Sequence, residues 1–477
     1  MINKMKGLIL LSLLFFVSAG DNLKIYIFNV GQADSQLIYF PSGYSVLIDA
    51  GEVAGDTSAT NAKYLAKRLK KILGKTTIDV LVLTHIHNDH HGRYKQGGIW
   101  YLIEKEGFTF KKFISRSVGA YKGSSFSKCS ESTIDWKFIG QSSQNTVNFV
   151  CYATSSKDKT KLSKIREVAN LCSTSQITPS DAGAEVQIIM RDAYGCKDSE
   201  GKLVNDCKYN AKGSPNENDF SICLRVVFGQ FVYSTCGDLS GNQYEHNGYV
   251  YHDIESQIAD MMGEVDVYHV NHHGSRSATN LKWSQTLKPT VSVFSCGENN
   301  KPGLPAATPL QNLNSVGSEM YFTNNCNSER TSKYGGKIHI LNGDVVITVP
   351  PGGSIFKVAK PDGSAATKYN IKTNKAARSP CRKLAEGLEF VEDDSDLEEK
   401  EDDLILDNEF LDFDDEEDPE LPDLGEDEIE TDEDEESQGD DDGDDDDIIV
   451  EGEPEIAEKD DERTLFEEGY GEDEEEF

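Results

Sequence analysis

Four of the ten histidines fall within nine residues, in the stretch THIHNDHHG from Thr84 to Gly92. Neutral imidazole serves mainly as a proton shuttle or a metal ligand. His85 and His87 are two apart, so on an extended loop their side chains point the same way and can share one ion. Asp89 and His90 then reach a second position from the turn that follows. Zinc accepts imidazole nitrogen and carboxylate oxygen at about 2.0–2.2 Å, and a centre that keeps one coordination place open is catalytic. A surface histidine tract can hold metal adventitiously. HxHxDH directly after a buried strand is a far more specific pattern than a lone histidine.

Such a cluster needs a rigid support. Ile78–Thr84 (IDVLVLT) is a continuous apolar run, typical of a strand buried on both faces. The histidines follow its C-terminal end, where layered α/β folds carry ligand loops. Upstream, Lys24–Asn29 alternates, and Ser35–Phe40 and Ser45–Asp49 read as strands around the turn Pro41-Ser42-Gly43. Asn61–Leu73 has helical spacing, with Leu65, Leu69, Ile72 and Leu73 on one side. Downstream, Phe220–Phe228 and Phe231–Thr235 read as strands, Ile254–Met262 as a helix, and Val265–Val270 and Val291–Ser295 as strands. Lys337–Val349 reads as a hairpin around Asn342-Gly343. Residues 116–218 are polar, with one clear strand at Glu185–Met190, and read largely as an insertion stapled by some of their five cysteines.

Residues 1–19 have the form of a secretory signal peptide: Lys4 and Lys6, an apolar run from Gly7 to Val17, then small residues ending at Ala19. About 11 apolar residues are too few to span a bilayer as a helix. The mature chain is therefore expected to be secreted, extracellular or in the lumen of the secretory pathway, with no membrane contact. All ten cysteines follow this segment, which predicts disulfides. Cys196 and Cys207 bracket one short polar loop and are the expected pair. No CxxC occurs, so a cysteine zinc site is not expected.

The net charge of −37 is unevenly divided. Residues 391–477 hold 49 of the 84 acidic residues and 3 of the 47 basic ones, a net of −46, which leaves +9 on the rest. Such a segment cannot bury enough apolar surface to offset its ordering entropy, so 391–477 is predicted to be a disordered acidic tail. Residues 351–390, rich in Lys, Gly, Ser and Ala, read as its linker, and 20–350 as the globular domain. The tail is suited to binding cations or the protein's own basic face.

The stretch Leu83–Gly92 resembles the signature of the metallo-β-lactamase superfamily, and the likeness runs through nearly all of residues 23–350. It implies an α/β fold, an αββα sandwich with a metal site between two sheets. The body further resembles the hydrolase domain of the bacterial DNA-uptake protein ComEC and its secreted relatives. Phe28–Ser35 (FNVGQADS) is similar to that subfamily's DVGQGDS opening, Leu47–Gly51 to its LIDgG, Asn218–Ser221 with Cys236–Leu239 to its NNxS and tGD, and Val270–Ser275 to its HHGS. Carried over by position, His85, His87, Asp89 and His90 are metal ligands, and Asp238 is the carboxylate that bridges two ions. One of His272 and His273 is a ligand, with His273 preferred, and the other a proton donor. Asp49 and Asp34 support the site. Two departures stand out. PNENDFS lacks a further metal-binding histidine found in many superfamily members, which leaves the second ion weaker or held by Asp219 or water. NNKPGLP has Leu304 where the subfamily has a histidine.

The chemistry implied is hydrolysis by a metal-activated hydroxide, with one or two Zn²⁺, or Mn²⁺ in their place. For a phosphodiester, Asp89 orients the nucleophile while acting as a ligand, His272 or His273 protonates the leaving oxygen, and Ser275 and Arg276 hold a phosphate oxygen. The expectation is a secreted metal-dependent phosphodiesterase, a nuclease acting on extracellular nucleic acid. The basic body agrees with that, since phosphate neutralisation dominates nucleic-acid affinity. Two alternatives remain open at this point: a hydrolase of smaller esters, of phosphorylcholine esterase or lactonase type, and a non-catalytic acidic cation-binding protein.

Overall fold

The computed structural model describes residues 22–53, 58–123, 125–136, 143–157, 160–192, 214–246, 249–298, 300 and 302–373. The signal segment 1–19, the pair Cys196 and Cys207, and the acidic tail 391–477 lie outside them.

The strand Thr77–Val82 shows how the layers form. Val80 and Val82 point into the space between two sheets, while Ile78 and Leu81 point out toward helices. An apolar run with no polar face therefore satisfies both sides. Its sheet has nine strands, in the order Thr367–Asn370, Ile355–Ala359, Val345–Val349, Leu23–Ile27, Gln36–Tyr39, Ser45–Ile48, Thr77–Val82, Thr109–Ser115 and Arg166–Val168. Pairing is antiparallel as far as Ser45–Ile48 and parallel beyond. The facing sheet has seven strands, in the order Ile338–Ile340, Glu319–Phe322, Val291–Phe294, Val267–His269, Phe231–Thr235, Cys223–Phe228 and Ala184–Met190.

Three apolar layers hold this together. Ile25, Ile27, Ile38 and Ile48 of one sheet meet Ile188, Leu224, Val267 and Val293 of the other. Outside the first sheet, Leu65 and Leu69 of the helix Thr60–Leu73 cover Leu37, Leu47 and Phe113. Outside the second, Ile258, Trp283 and Leu310 cover Val232, Tyr268 and Phe322. The helix Thr60–Leu73 starts where Glu52 accepts hydrogen bonds from the Asn61 and Ala62 amides, and stops at Gly74 in the left-handed conformation. No helix among the described residues is long and apolar enough to cross a membrane.

Three expectations change. The segment from 351, read as a linker, carries two strands, Ile355–Ala359 and Thr367–Asn370, which extend the nine-stranded sheet and bury Phe356 and Val358 between the sheets. Residues 116–218, read largely as an insertion, contribute to both sheets through their described residues. Arg166–Val168 and Ala184–Met190 each edge one sheet, and the helix Gln144–Thr154 packs in the outer layer. Ile338–Ile340 and Val345–Val349 do not form a hairpin. The first pairs parallel with Glu319–Phe322 and the second antiparallel with Leu23–Ile27, so Asn342-Gly343 carries the chain from one sheet to the other.

Disulfides join Cys129 to Cys151, Cys223 to Cys236 and Cys296 to Cys326, and Cys172 is disulfide-bonded as well. The three pairs are 22, 13 and 30 positions apart. Bridges closing loops of this size contribute about 3 kcal/mol each by chain-entropy arguments. Dithiothreitol is expected to lower the melting temperature. Alkylation of the non-reduced protein should label none of these seven cysteines.

Candidate metal centre

The ligand loop is held by neighbours on both sides of it. Asp49, at the end of Ser45–Ile48, accepts from the Thr84 amide at 2.8 Å and the Thr84 hydroxyl at 2.7 Å, which fixes where His85 begins. The Ile86 amide, between the first two histidines, donates to Glu217 at 2.9 Å. Beyond it, the short helix Asn88–His91 is stitched by backbone to the two preceding loops. The Asp34 amide donates to the Asp89 carbonyl, Ala50 to His90 and Glu52 to Asn88. The approach is so close that a Cβ at Gly51 would overlap the Asp89 carbonyl, which explains the glycine of LIDAG.

Asp238 follows the strand Phe231–Thr235, and His272 and His273 follow Val267–His269. The seven-stranded sheet thus delivers its ligands from the C-terminal ends of parallel neighbours. Two groups of potential ligand atoms result, each within 4.8 Å: Asp89, His90, Asp238 and His273; and His85, His87 and Asp238. Asp238 belongs to both. His90 Nε2 is 3.0 Å from Asp238 Oδ1, and His85 Nε2 is 3.8 Å from Oδ2.

The donor set fits a metal. His90 Nδ1 lies 2.8 Å from the Asp49 carboxylate and His273 Nδ1 lies 2.9 Å from the Ser295 carbonyl. Both partners only accept, so both Nδ1 atoms carry protons and Nε2 is the atom left to face an ion. Each of those Nε2 atoms is buried and makes no hydrogen bond. Imidazole nitrogens and carboxylate oxygens converging in this way suit a cation between them. Burial holds the His85 imidazole well below its usual range, keeping it neutral, as a ligand must be. For Asp238, burial acts upward but the surrounding His90, His272 and His273 outweigh it, and its carboxyl lies well below the usual range. The Asp89 carboxyl is drawn down to about 2 against its burial, chiefly by His273 and His90.

The remaining expected residues divide. Asp49 and Asp34 group with His90 away from the open side. Burial pushes the Asp34 carboxyl up to about 6, and its neighbours are Gln36, Ser295 and His269. Asp219 does not join either ligand group. It pairs with His252 at 2.6 Å, so the idea that it holds the second ion is set aside. Ser275 bonds to Ser277, Arg276 is exposed, and neither lies among the candidate ligand atoms. The Leu304 backbone is fixed by Asn300. His91, also in the motif, is buried on Phe149 with its pKa lowered to about 3, as befits a packing residue.

Sequence reading missed several supports. Arg116 is buried and grips Glu217 through two bonds of 2.7 and 2.6 Å. His269 lies 3.2 Å from Gln36 and 3.0 Å from Ser295. Glu255, pushed up to about 8 by burial, accepts from Asn271, Thr279 and Asn280 and so shapes the late histidine loop. No local pattern marks them, since each partner is remote in sequence or carried by an ordinary residue type.

Asp49→Asn tests the support of His90. The amide cannot take the Nδ1 proton as a carboxylate does. Metal affinity, measured by chelator competition, is expected to fall about 10–100-fold with little change in fold.

No protein-family model matches the sequence, and no curated protein matches it. Solved structures do. A protein from Parabacteroides distasonis assigned as a metal-dependent hydrolase is 11% identical, with 64% of this chain and 97% of that one covered and a TM-score of 0.31. Unliganded yeast PDE1 is 9% identical, covering 67% and 97%, with a TM-score of 0.27. A diphosphatase of the PhnP family is 10% identical, covering 69% and 99%, with a TM-score of 0.30. At such scores these likenesses add little to what the chain itself displays. Two facing sheets clothed by helices, with HxHxDH, Asp238 and His273 gathered at the strand ends, are the arrangement that the resemblance to the metallo-β-lactamase superfamily implies.

Proposed function

We propose that the chain is a secreted metal-dependent phosphodiesterase that cleaves nucleic acid. The observation that carries the hydrolase reading is Asp238, shared by two groups of potential ligand atoms, in one of which His90 and His273 keep buried Nε2 atoms without a hydrogen bond. The ComEC-like motifs and the basic body favour a nucleic acid over a small ester.

Bound Zn²⁺ or Mn²⁺ would supply a hydroxide near neutral pH and polarise the phosphoryl oxygen. The chain's part is to hold that chemistry in place. Asp238 spans the two ligand sets, Asp49 fixes the ring of His90, and Ser295 fixes that of His273. Asp89, only partly buried, stands at the edge of the centre where it can orient an attacking water.

The test is a panel of single-stranded DNA, RNA, bis-p-nitrophenyl phosphate and phosphorylcholine esters, with chelated protein reloaded with Zn²⁺, Mn²⁺ or Mg²⁺. Metal-dependent cleavage of DNA or RNA is expected. Turnover of small esters alone would favour the alternative, and no turnover a non-catalytic role.

The acidic tail would act on the same interface. A tethered polyanion of −46 competes with substrate phosphates for a body of +9. A chain ending at Pro380 is expected to bind single-stranded DNA more tightly than the full chain at low salt, the difference closing as salt rises. Equal affinities at low salt would leave the tail a solubilising or cation-binding one.

A further inference from the structure

The group His85, His87 and Asp238 has three donors, one fewer than its neighbour. The structure assigns the fourth: we propose that His272 is a ligand of this ion, not a proton donor, so that two adjacent histidines serve two different ions. The inference rests on the metal-centre reading of the site, though not on the identity of the substrate.

The backbone is built for this. His272 (φ 51°, ψ 43°) and His273 (φ 52°, ψ 19°) are consecutive non-glycine residues in the left-handed region, followed by Gly274 at φ 81°. Non-glycine residues seldom adopt this conformation, although histidine is one of the types enriched there, and adjacent pairs are rarer. Strain of this sort is kept where the surroundings over-determine it. Here the surroundings are explicit. The His272 amide donates to the Gly237 carbonyl, next to Asp238, and the Ser275 amide donates to the His272 carbonyl. Asn271 is fixed by Glu255 at 2.7 Å.

The turn places the two rings on either side of one carboxylate. His273 Nε2 is 3.8 Å from Asp238 Oδ1, the oxygen that also faces His90. His272 Nε2 is 3.7 Å from Oδ2, the oxygen that also faces His85. The rings are prepared in the same way. His273 Nδ1 is held by the Ser295 carbonyl, and His272 Nδ1 lies 3.0 Å from Ser277 Oγ. Ser277 can turn its own proton to Ser275 Oγ at 3.1 Å and accept from His272, leaving the Nε2 lone pair for a cation. Asn218 is the remaining neighbour, with Nδ2 3.2 Å from His272 Nε2 and its Oδ1 buried without a partner. An ion held by His272 Nε2 would displace this contact.

The experiment is metal counting on the full chain, by elemental analysis after Zn²⁺ loading and by titration calorimetry. The wild type is expected to bind two ions. His272→Asn, chosen because asparagine tolerates the left-handed backbone, is expected to retain one, or to bind the second more than about tenfold more weakly. His87→Ala should show the same loss, and His273→Asn should weaken the other ion. Loss in His87→Ala but two ions of unchanged affinity in His272→Asn would overturn this assignment alone. Two ions in every variant would overturn the metal-centre reading itself. Circular dichroism guards against misfolding, and Ser277→Ala supplies a second route. It removes only the partner of Nδ1 and should weaken the same ion by a smaller factor, whereas unchanged affinity there would also count against the assignment.

Discussion

Asp238→Ala is expected to empty both halves of the centre and abolish hydrolysis, with His87→Ala added to exclude residual binding. Asp238 is the one residue common to both ligand groups. Removing it takes a charge from each group and leaves His85, His90, His272 and His273 without the carboxylate they share. Bound metal would supply the hydroxide for hydrolysis, so losing the residue that both ligand groups share should cost at least about 10³-fold, the scale on which removal of a principal transition-state stabiliser is felt. The fold should survive. Asp238 lies in a loop whose path is fixed by the Cys223–Cys236 disulfide and by Gly237, where a Cβ would press on Thr84. Turnover and metal content are the measurements. Unchanged hydrolysis in a folded double variant would sink the assignment.

Why the candidate ligands are legible in the sequence while their supports are not follows from how each is encoded. HxHxDH is compact, and an apolar strand leads into it, so one window holds both the donors and their platform. Asp238 and His273 came through motif resemblance, not through spacing. The supports have no such window. Glu217 meets Arg116 across 101 positions, and Asp34 meets Ser295 across 261. Asn218 and Asp219 are adjacent, yet one turns toward His272 and the other toward His252. A sequence pattern cannot say which. The strands beyond residue 350 were hidden for a different reason. Ile355–Ala359 does alternate, but Gly- and Lys-rich flanks and a Pro-Asp-Gly-Ser turn gave the region a linker's composition. The apparent hairpin at Asn342-Gly343 failed because turn chemistry sets a local bend and not the choice of sheet.

Arg116→Met is expected to cost about 3–5 kcal/mol of stability and to loosen the first metal-binding histidines as well. Arg116 is 1% exposed, with Glu217 and Asp192 at 2% and 3%. Its guanidinium makes two bonds to Glu217, lies 3.6 Å from Asp192 and stacks on Phe220. Methionine fills much of the volume but leaves Glu217 as a buried carboxylate without its cation. Uncompensated buried charge is what makes the loss large, and a well-packed apolar replacement of both partners is usually milder. Arg116→Met with Glu217→Met should therefore recover part of the stability lost by the single change. It should not recover metal binding, because Glu217 also accepts the Ile86 amide between His85 and His87. Arg116→Lys should rescue neither, since a single ammonium cannot make the paired bonds. Chemical denaturation and Zn²⁺ titration of the four proteins separate the two roles. If the double variant binds Zn²⁺ as the wild type does, the Ile86 contact does not hold the histidine loop, and Arg116 and Glu217 serve stability alone.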